Sequence, residues 1–275
     1  MQNMHVEPVA QKHKNKIRTG SLTADILIYG VMGIIALVTV FPFVYIISAS
    51  ISDPLEVVAG KVWFLPIGFS LKSYTMLFSS SQIWRSFANS IFFTVIITVL
   101  NVANSMLAGF SLCKKNLVFR KGIVFYLLVP MYFSGGLIPT FVLISKLKLF
   151  NTLYAIILPS IASVWNIILA RTFIKGLPDA LRESAIIDGA SELTVFGRII
   201  LPLSKPIIAV LTLYTALGVW NSWFNYMIYI PKLSDWMPLQ MYLTKVLIWG
   251  DMSSTMQVEN LNPELVKQKL MLAAV

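Results

Sequence analysis

Charge is what this sequence has least of. Only 12% of its 275 residues are charged and 57% are hydrophobic, whereas soluble domains carry ~25% charged residues, so the chain reads as an integral membrane protein. The single cysteine, Cys113, excludes a disulfide within the chain. Both histidines, His5 and His13, lie in the N-terminal tail, and a metal site among the apolar segments therefore lacks ligands. The glycine-rich lysine loop G-x-x-x-x-G-K-[ST] that cradles nucleotide phosphates is also missing. The chain is not expected to hydrolyse ATP by itself, to hold a cofactor or to supply catalytic residues, because its apolar runs contain no grouping of His, Cys and carboxylates.

Apolar runs dominate instead. Ile26 to Ala49, Phe87 to Leu112, Gly122 to Ser145, Leu153 to Ala170 and Ile207 to Ile230 each read as a membrane span, and none contains Asp, Glu, Lys, Arg or His. Ion-coupled carriers usually place ionisable groups inside their spans. Their absence argues against proton coupling, though not against sodium bound by backbone carbonyls, and an ion-coupled secondary transporter stays as the alternative. Ser48-Ala49-Ser50 resembles a signal-peptidase site, but the run before it exceeds the ~7 to 15 residues of a signal-peptide core and should remain as an anchor. The third run is broken by Ser134-Gly135-Gly136 and Pro139. Such a break survives only where neighbouring helices or a water-filled cavity satisfy the freed backbone groups.

The intervening segments carry the charge. A net +10 does not mark nucleic-acid binding here, because the 22 Lys and Arg are spread over the segments between spans rather than clustered with aromatics. With the tail that bears Lys12, Lys14, Lys16 and Arg18 on the cytoplasmic side, most of the 22 fall on that side, the arrangement that the positive-inside rule favours. Short helices are expected around Tyr74 to Phe78 and from Pro238 to Trp249, the latter with Leu239, Tyr242, Leu243 and Val246 on its apolar side. Past Glu264 the apolar stretch Leu270 to Val275 is too short to cross, and a sixth span truncated at the C-terminus is expected.

The most polar interruption runs from Arg171 to Pro206. Pro178 suits a first helical turn, Gly189 a left-handed C-terminal cap, and Ser191 the cap of a following helix that Pro202 ends. Two helices of about eleven residues, roughly 16 Å each, are too short to cross a ~30 Å core. This hairpin should lie outside the membrane against another surface. A protein with neither an ion relay nor a nucleotide site must receive its work through such a contact.

Over their whole spacing, Glu183, Ser184, Ala185, Gly189, Ile199, Leu201 and Pro202 resemble the EAA loop of permease subunits in binding-protein-dependent ABC importers. Ser184 stands where that motif has alanine. The stretch Met131 to Phe173 resembles oligosaccharide permeases of the LplC/YtcP and alginate-permease branch, relatives of the maltose-importer inner-membrane subunits, and Val219 to Ile230 and Met237 to Leu243 are similar to carbohydrate permeases generally. The resemblance implies an all-α polytopic membrane protein with the type I ABC importer, MetI-like fold, five spans being visible. It implies a sugar-importing heterodimer in the cell membrane with a second permease subunit, two ATPase subunits that carry ATP and Mg, and an extracytoplasmic solute-binding protein. It also implies that Glu183, Ser184, Ala185, Asp188, Gly189, Ala190, Leu201 and Pro202 couple to the ATPase, with Glu183 as polar anchor, Gly189 at the turn and Ala185 allowing close approach.

Sugar recognition needs flat apolar faces for C–H surfaces and amides for hydroxyls, and Trp220, Asn221, Trp223, Asn225 and Tyr226 supply both. They lie where aromatic belts also collect without binding anything. The Gly135-Gly136 break is the other pathway candidate, with close packing as the alternative. Asn101, Asn104 and Asn166 suit hydrogen bonding between helices, worth ~0.6 to 2 kcal/mol each. The chain accordingly divides into a basic cytoplasmic tail (1–25), the first span and an external loop (26–85), and a permease core (86–275) with its coupling hairpin at 171–206.

The charge distribution generates the first prediction. Single cysteines introduced at Ser21 and Ser191, in a Cys113→Ser background, should react with an impermeant maleimide only after the membrane is permeabilised. Labelling of Ser191→Cys from outside intact cells would contradict the orientation.

Overall fold

A computed structural model describes residues 22–246 apart from Lys115. The tail up to Ser21, with its histidines and basic residues, and the apolar stretch Leu270 to Val275 lie outside the described residues. The described chain divides into two compact units, with the boundary between Leu71 and Lys72. Among the described residues there is no β-strand.

The first unit is one long helix and a folded loop. Helix α1 (Leu22–Ser50) is apolar on every side, as suits a helix surrounded by lipid. Pro42 sits within it. At its end the Ser48 hydroxyl donates to the Phe64 carbonyl (2.7 Å), the Ser52 hydroxyl donates to the Ser48 carbonyl (2.6 Å), and Ser52 Oγ accepts from the Ile67 amide (3.1 Å). Phe41 and Phe64 meet edge to face at 5.1 Å. These bonds fold the loop, with its short helix α2 (Pro54–Val58) capped by Asp53, back onto the helix end.

In the second unit α3 (Lys72–Ser79) leads into α4 (Ser81–Ser111), which at ~1.5 Å per residue is roughly 46 Å long and exceeds a ~30 Å core. The other helices gather around it. They are α5 (Arg120–Tyr132), α6 (Leu137–Lys146), α7 (Tyr154–Ile161), α8 (Val164–Lys175), α9 (Asp179–Ile187), α10 (Glu192–Leu203), α11 (Lys205–Trp220), α12 (Phe224–Tyr229) and α13 (239–246). One cluster, with Phe93, Ile97, Ile144, Ala155, Tyr226, Tyr229 and Met237, packs at the N-terminal half of α4. A second, with Met106, Phe110, Ala170, Ile174, Val195 and Leu211, packs at its C-terminal half.

Three apolar runs differ from uninterrupted or merely kinked spans. The third turns by 115° between α5 and α6, because Gly136 at φ 84° begins α6 in a conformation that only glycine adopts freely. The turn lays α6 against the far end of the bundle, where Phe141 stacks on Tyr229 at 6.4 Å and the Asn151 amide donates to the Tyr229 carbonyl (2.8 Å). The fourth runs from Tyr154 to Lys175 with a break at Ala162 and Ser163 between α7 and α8. The fifth stops at Trp220 and restarts as α12.

Pro202 does not end the second hairpin helix. Lacking an N–H and crowding the carbonyl four residues back, it is accommodated by a wider π turn over Phe196–Ile200, in which the Leu201 amide bonds the Phe196 carbonyl. The chain bends by 78° only after Leu203. The expected helix after Pro238 is present over 239–246, the last three residues expected of it lying outside the described residues, and it is seated by buried Met237 and Met241 together with half-buried Tyr242.

Gly109 marks the closest approach of α4 and α8. A Cβ there would lie 2.8 Å from the Arg171 amide nitrogen and 2.9 Å from Ala170 Cβ, so the backbones would have to separate. Gly109→Ala should destabilise the purified complex by about 1 to 3 kcal/mol and lower its thermal midpoint. Gly122→Ala, with open space around it, should leave the midpoint unchanged or slightly raised; equal midpoints for both variants would refute the tight crossing.

Candidate functional site

Two features carry functional geometry: the α9–α10 hairpin and a polar cavity in the bundle. At the hairpin, α9 ends in a reciprocal cap. The Ala190 amide donates to the Ala185 carbonyl (2.9 Å) and the Gly189 amide to the Ile186 carbonyl (3.0 Å), the pair of bonds that closes a helix on a left-handed residue. Gly189 is that residue, at φ 83°. Ser191 then caps α10 by accepting from the Thr194 amide (3.2 Å).

The predicted coupling residues fall on two faces. Ala185, Ala190 and Leu201 are half-buried against the second cluster; their small or apolar side chains seat the hairpin on the bundle. Glu183, Ser184, Asp188, Gly189 and Pro202 are exposed. Sequence reasoning passed over Ile187 and Leu193, which stand 84% and 76% exposed beside the turn. Their signal was available, as apolar residues on a short polar hairpin cannot both face its own core. An ion pair braces the two helices: Arg182 Nη2 meets Glu192 Oε1 at 2.6 Å, with Lys114 Nζ 3.7 Å from the other carboxylate oxygen. The hydrogen bond from Arg182, followed by the nearby positive charges, holds the Glu192 carboxyl below the usual glutamate range.

The cavity, of about 400 Å³, lies between α4, α7, α8, α11 and α12. A knot of amides forms one wall. Asn101 Oδ1 accepts from Asn166 Nδ2 (2.7 Å), and the same nitrogen donates to Thr215 Oγ1 (3.0 Å). Asn101 Nδ2 donates to the Ser160 carbonyl (2.8 Å) and Asn104 Nδ2 to the Ile161 carbonyl (3.3 Å). Those carbonyls are among the ones that the α7–α8 break deprives of helical partners.

Aromatic rings of Trp165, Tyr214, Tyr226 and Tyr229 and the hydroxyls of Ser160, Ser163 and Ser222 complete the lining, which carries no charged side chain. The buried Tyr226 hydroxyl has no partner among the described residues. Flat faces beside neutral donors and acceptors match a polyhydroxylated ligand better than an ion.

Of the predicted pathway residues, Asn225 and Tyr226 line this cavity. Trp220 instead meets Phe87 edge to face at 5.8 Å, and Trp223 meets Phe224 likewise at 5.6 Å. Asn221 is exposed and donates to the Leu217 carbonyl (2.9 Å). Gly135 and Gly136 are exposed at the α5–α6 turn, apart from the lining. Trp165, Tyr214, Thr215 and Ser222 were not singled out beforehand, since no spacing in sequence relates α8 to α11.

Residues 105–230, which contain the hairpin and the Asn166 and Thr215 side of the knot, match the family described as binding-protein-dependent transport system inner membrane component. The chain is 38% identical over 234 residues to the polygalacturonan/rhamnogalacturonan transport system permease protein YtcP of Bacillus subtilis (strain 168), covering 83% of this chain and 82% of that one. It is 38% identical over 224 residues to protein LplC of the same organism (82% and 76% covered). Identity to the arabinooligosaccharides transport system permease protein AraQ of Halalkalibacterium halodurans is 29% over 239 residues (84% of each chain covered). Among solved structures, one chain of a bacterial ABC transporter involved in the import of the acidic polysaccharide alginate superposes with a TM-score of 0.80 at 28% identity, over 93% of both chains.

The knot generates its own prediction. Asn101→Leu orphans the Ser160 carbonyl and takes from the Asn166 amide one of its two acceptors, a loss of about 1 to 3 kcal/mol, and should clearly lower the thermal midpoint. Asn104→Leu removes one long bond at a half-buried position and should cost less than about 1 kcal/mol. The reverse order of midpoints would show that the knot does not hold the break.

Proposed function

The chain belongs to the family of inner membrane components of binding-protein-dependent transport systems, and we propose that it is one permease subunit of an ATP-driven oligosaccharide importer. The carbohydrate assignment is supported by relatives named for galacturonan, arabinooligosaccharide and alginate transport and by the uncharged aromatic and amide lining of the cavity. In this reading the sugar passes from an extracytoplasmic binding protein into a passage shared with a second permease, and Asn225 and Tyr226 belong to this chain's side of it. The family is one of membrane permeases rather than catalysts. ATP and Mg belong to two partner ATPase subunits in the cytoplasm, on the side of the hairpin and the N-terminus. An ion-driven secondary carrier is not favoured, since the relatives are subunits of binding-protein-dependent systems.

Coupling through the hairpin is supported by its packing: its turn is closed by two backbone hydrogen bonds and its inner face is continuous with the bundle. Val195 of α10, Ala170 of α8 and Leu211 of α11 are fully buried in the same cluster as Met106 of α4. Close-packed side chains of this kind transmit displacement rather than absorb it. A push on exposed Glu183, Ile187 and Leu193 would therefore move the helices around the cavity together, as alternating access requires.

Gly189 tests this mechanism. No atom lies within 4 Å of a Cβ placed there, so a substitution acts through the backbone alone, at about 1 to 2 kcal/mol for leaving glycine in a left-handed conformation. Gly189→Val should preserve insertion and pairing with the second permease, yet lose ATPase subunits on washing or hydrolyse ATP without responding to sugar-loaded binding protein. Ser191→Gly, a cap change worth a few tenths of a kcal/mol, should be mild. Normal sugar-stimulated hydrolysis in Gly189→Val would refute coupling through this turn.

A further inference from the structure

A second cavity, of about 240 Å³, lies at the foot of the hairpin, where α4 and α8 end. Five cationic side chains line it, Lys114, Arg120, Arg171, Lys175 and Arg182, against one carboxylate, Asp179. Glu192 answers Arg182 and, at 3.7 Å, Lys114. Among the described residues no carboxylate pairs with Arg120, Arg171 or Lys175.

Helix capping accounts for only part of this charge. Arg120 Nη1 reaches the Cys113 and Lys114 carbonyls at 3.5 and 3.4 Å, and Arg171 Nε reaches the Leu112 carbonyl at 3.5 Å. These bonds lie at the long limit for N–H···O and occupy few of the five N–H donors on each guanidinium. Arg182 Nε is buried without an acceptor. Concentrated positive charge with unused, partly buried donors is the chemistry that receives a tetrahedral oxyanion, which guanidinium groups grip with two parallel bonds.

We propose that this cavity binds a phosphate group, supplied by an anionic lipid headgroup or by free phosphate. The site is independent of the sugar cavity and of the exposed face of the hairpin. Its place at the ends of two spans is where lipid phosphates lie, and basic pockets between transmembrane helices take such headgroups. A bound phosphate would offset the mutual repulsion of the five cations and join the α4 and α8 ends to Arg182 of the hairpin.

The test uses the whole importer, purified in detergent with its partner subunits and offered equal amounts of phosphatidylglycerol and phosphatidylcholine with the same acyl chains. Native mass spectrometry should show preferential retention of phosphatidylglycerol, reduced roughly tenfold or more in Arg120→Gln/Arg171→Gln, as expected for losing charge-assisted bonds, and reduced also in Lys175→Glu. Lys175 is exposed, so its variant decides the question if the double variant fails to assemble. In a parallel arm inorganic phosphate is added without lipid. A phosphate-dependent rise in thermal midpoint for the wild type but not the variants, with no lipid preference, would identify free phosphate as the ligand. Lipid retention and phosphate response that are absent, or present and unchanged by either variant, would overturn the proposal.

Discussion

The amide of Asn101 is the point on which the bundle depends. A helix broken in its middle exposes carbonyls that a lipid environment cannot satisfy, at several kcal/mol each. Here the break between α7 and α8 is repaired from outside: Asn101 and Asn104 on α4 donate to two of the freed carbonyls, while Asn101 accepts in turn from Asn166 beyond the break. One residue of the central helix thus holds both halves of a discontinuous span. Thr215 brings in α11 through the same nitrogen of Asn166. The cavity exists because the break exists, and the break is tolerated because Asn101 closes its hydrogen bonds.

The two clusters on either side of the knot do different work. At the far end, aromatic contacts such as Phe93 with Tyr226 (5.0 Å) and Phe141 with Phe150 (5.4 Å) fix α6 and α12 over the end of the bundle. There Asn89 donates to the Asp235 and Met237 carbonyls, and Ser90 accepts from the Leu239 amide. At the hairpin end small residues sit at the close contacts: Gly109 against Ala170, and Ala185 and Ala190 against the cluster. Small residues let backbones approach closely, and close backbones make a stiff joint.

Legibility in the sequence followed the range of the interactions. The hairpin was readable because its signals are local. A positive φ at Gly189 and the Ser191 cap depend on residues a few positions apart and are found where the pattern placed them, whereas the packing of Ala185 and Ala190 against the chain's own bundle, not expected of residues assigned to a partner's groove, depends on distant helices. Spans were readable as composition, since exclusion of charge from lipid acts residue by residue. Their interruptions were only half readable. Gly136 announced a break, but nothing local distinguishes a kink from a 115° turn, and Pro202 alone does not say whether its helix ends or widens into a π turn.

By itself the sequence determined an all-helical membrane chain with charge-free spans, no nucleotide loop, and a short polar hairpin whose spacing identifies its family. Each of these rests on which residues are present or on neighbours along one helix. Only the tertiary structure decided that Asn225 and Tyr226 line the cavity while Trp220 and Trp223 pack elsewhere, that Asn101 repairs a break 59 residues away, and that cations from three segments converge at the foot of the hairpin. The physical reason is that a side chain's partner across a bundle is chosen by helix rotation and crossing, which are set jointly by all the packed surfaces and by no stretch of sequence alone.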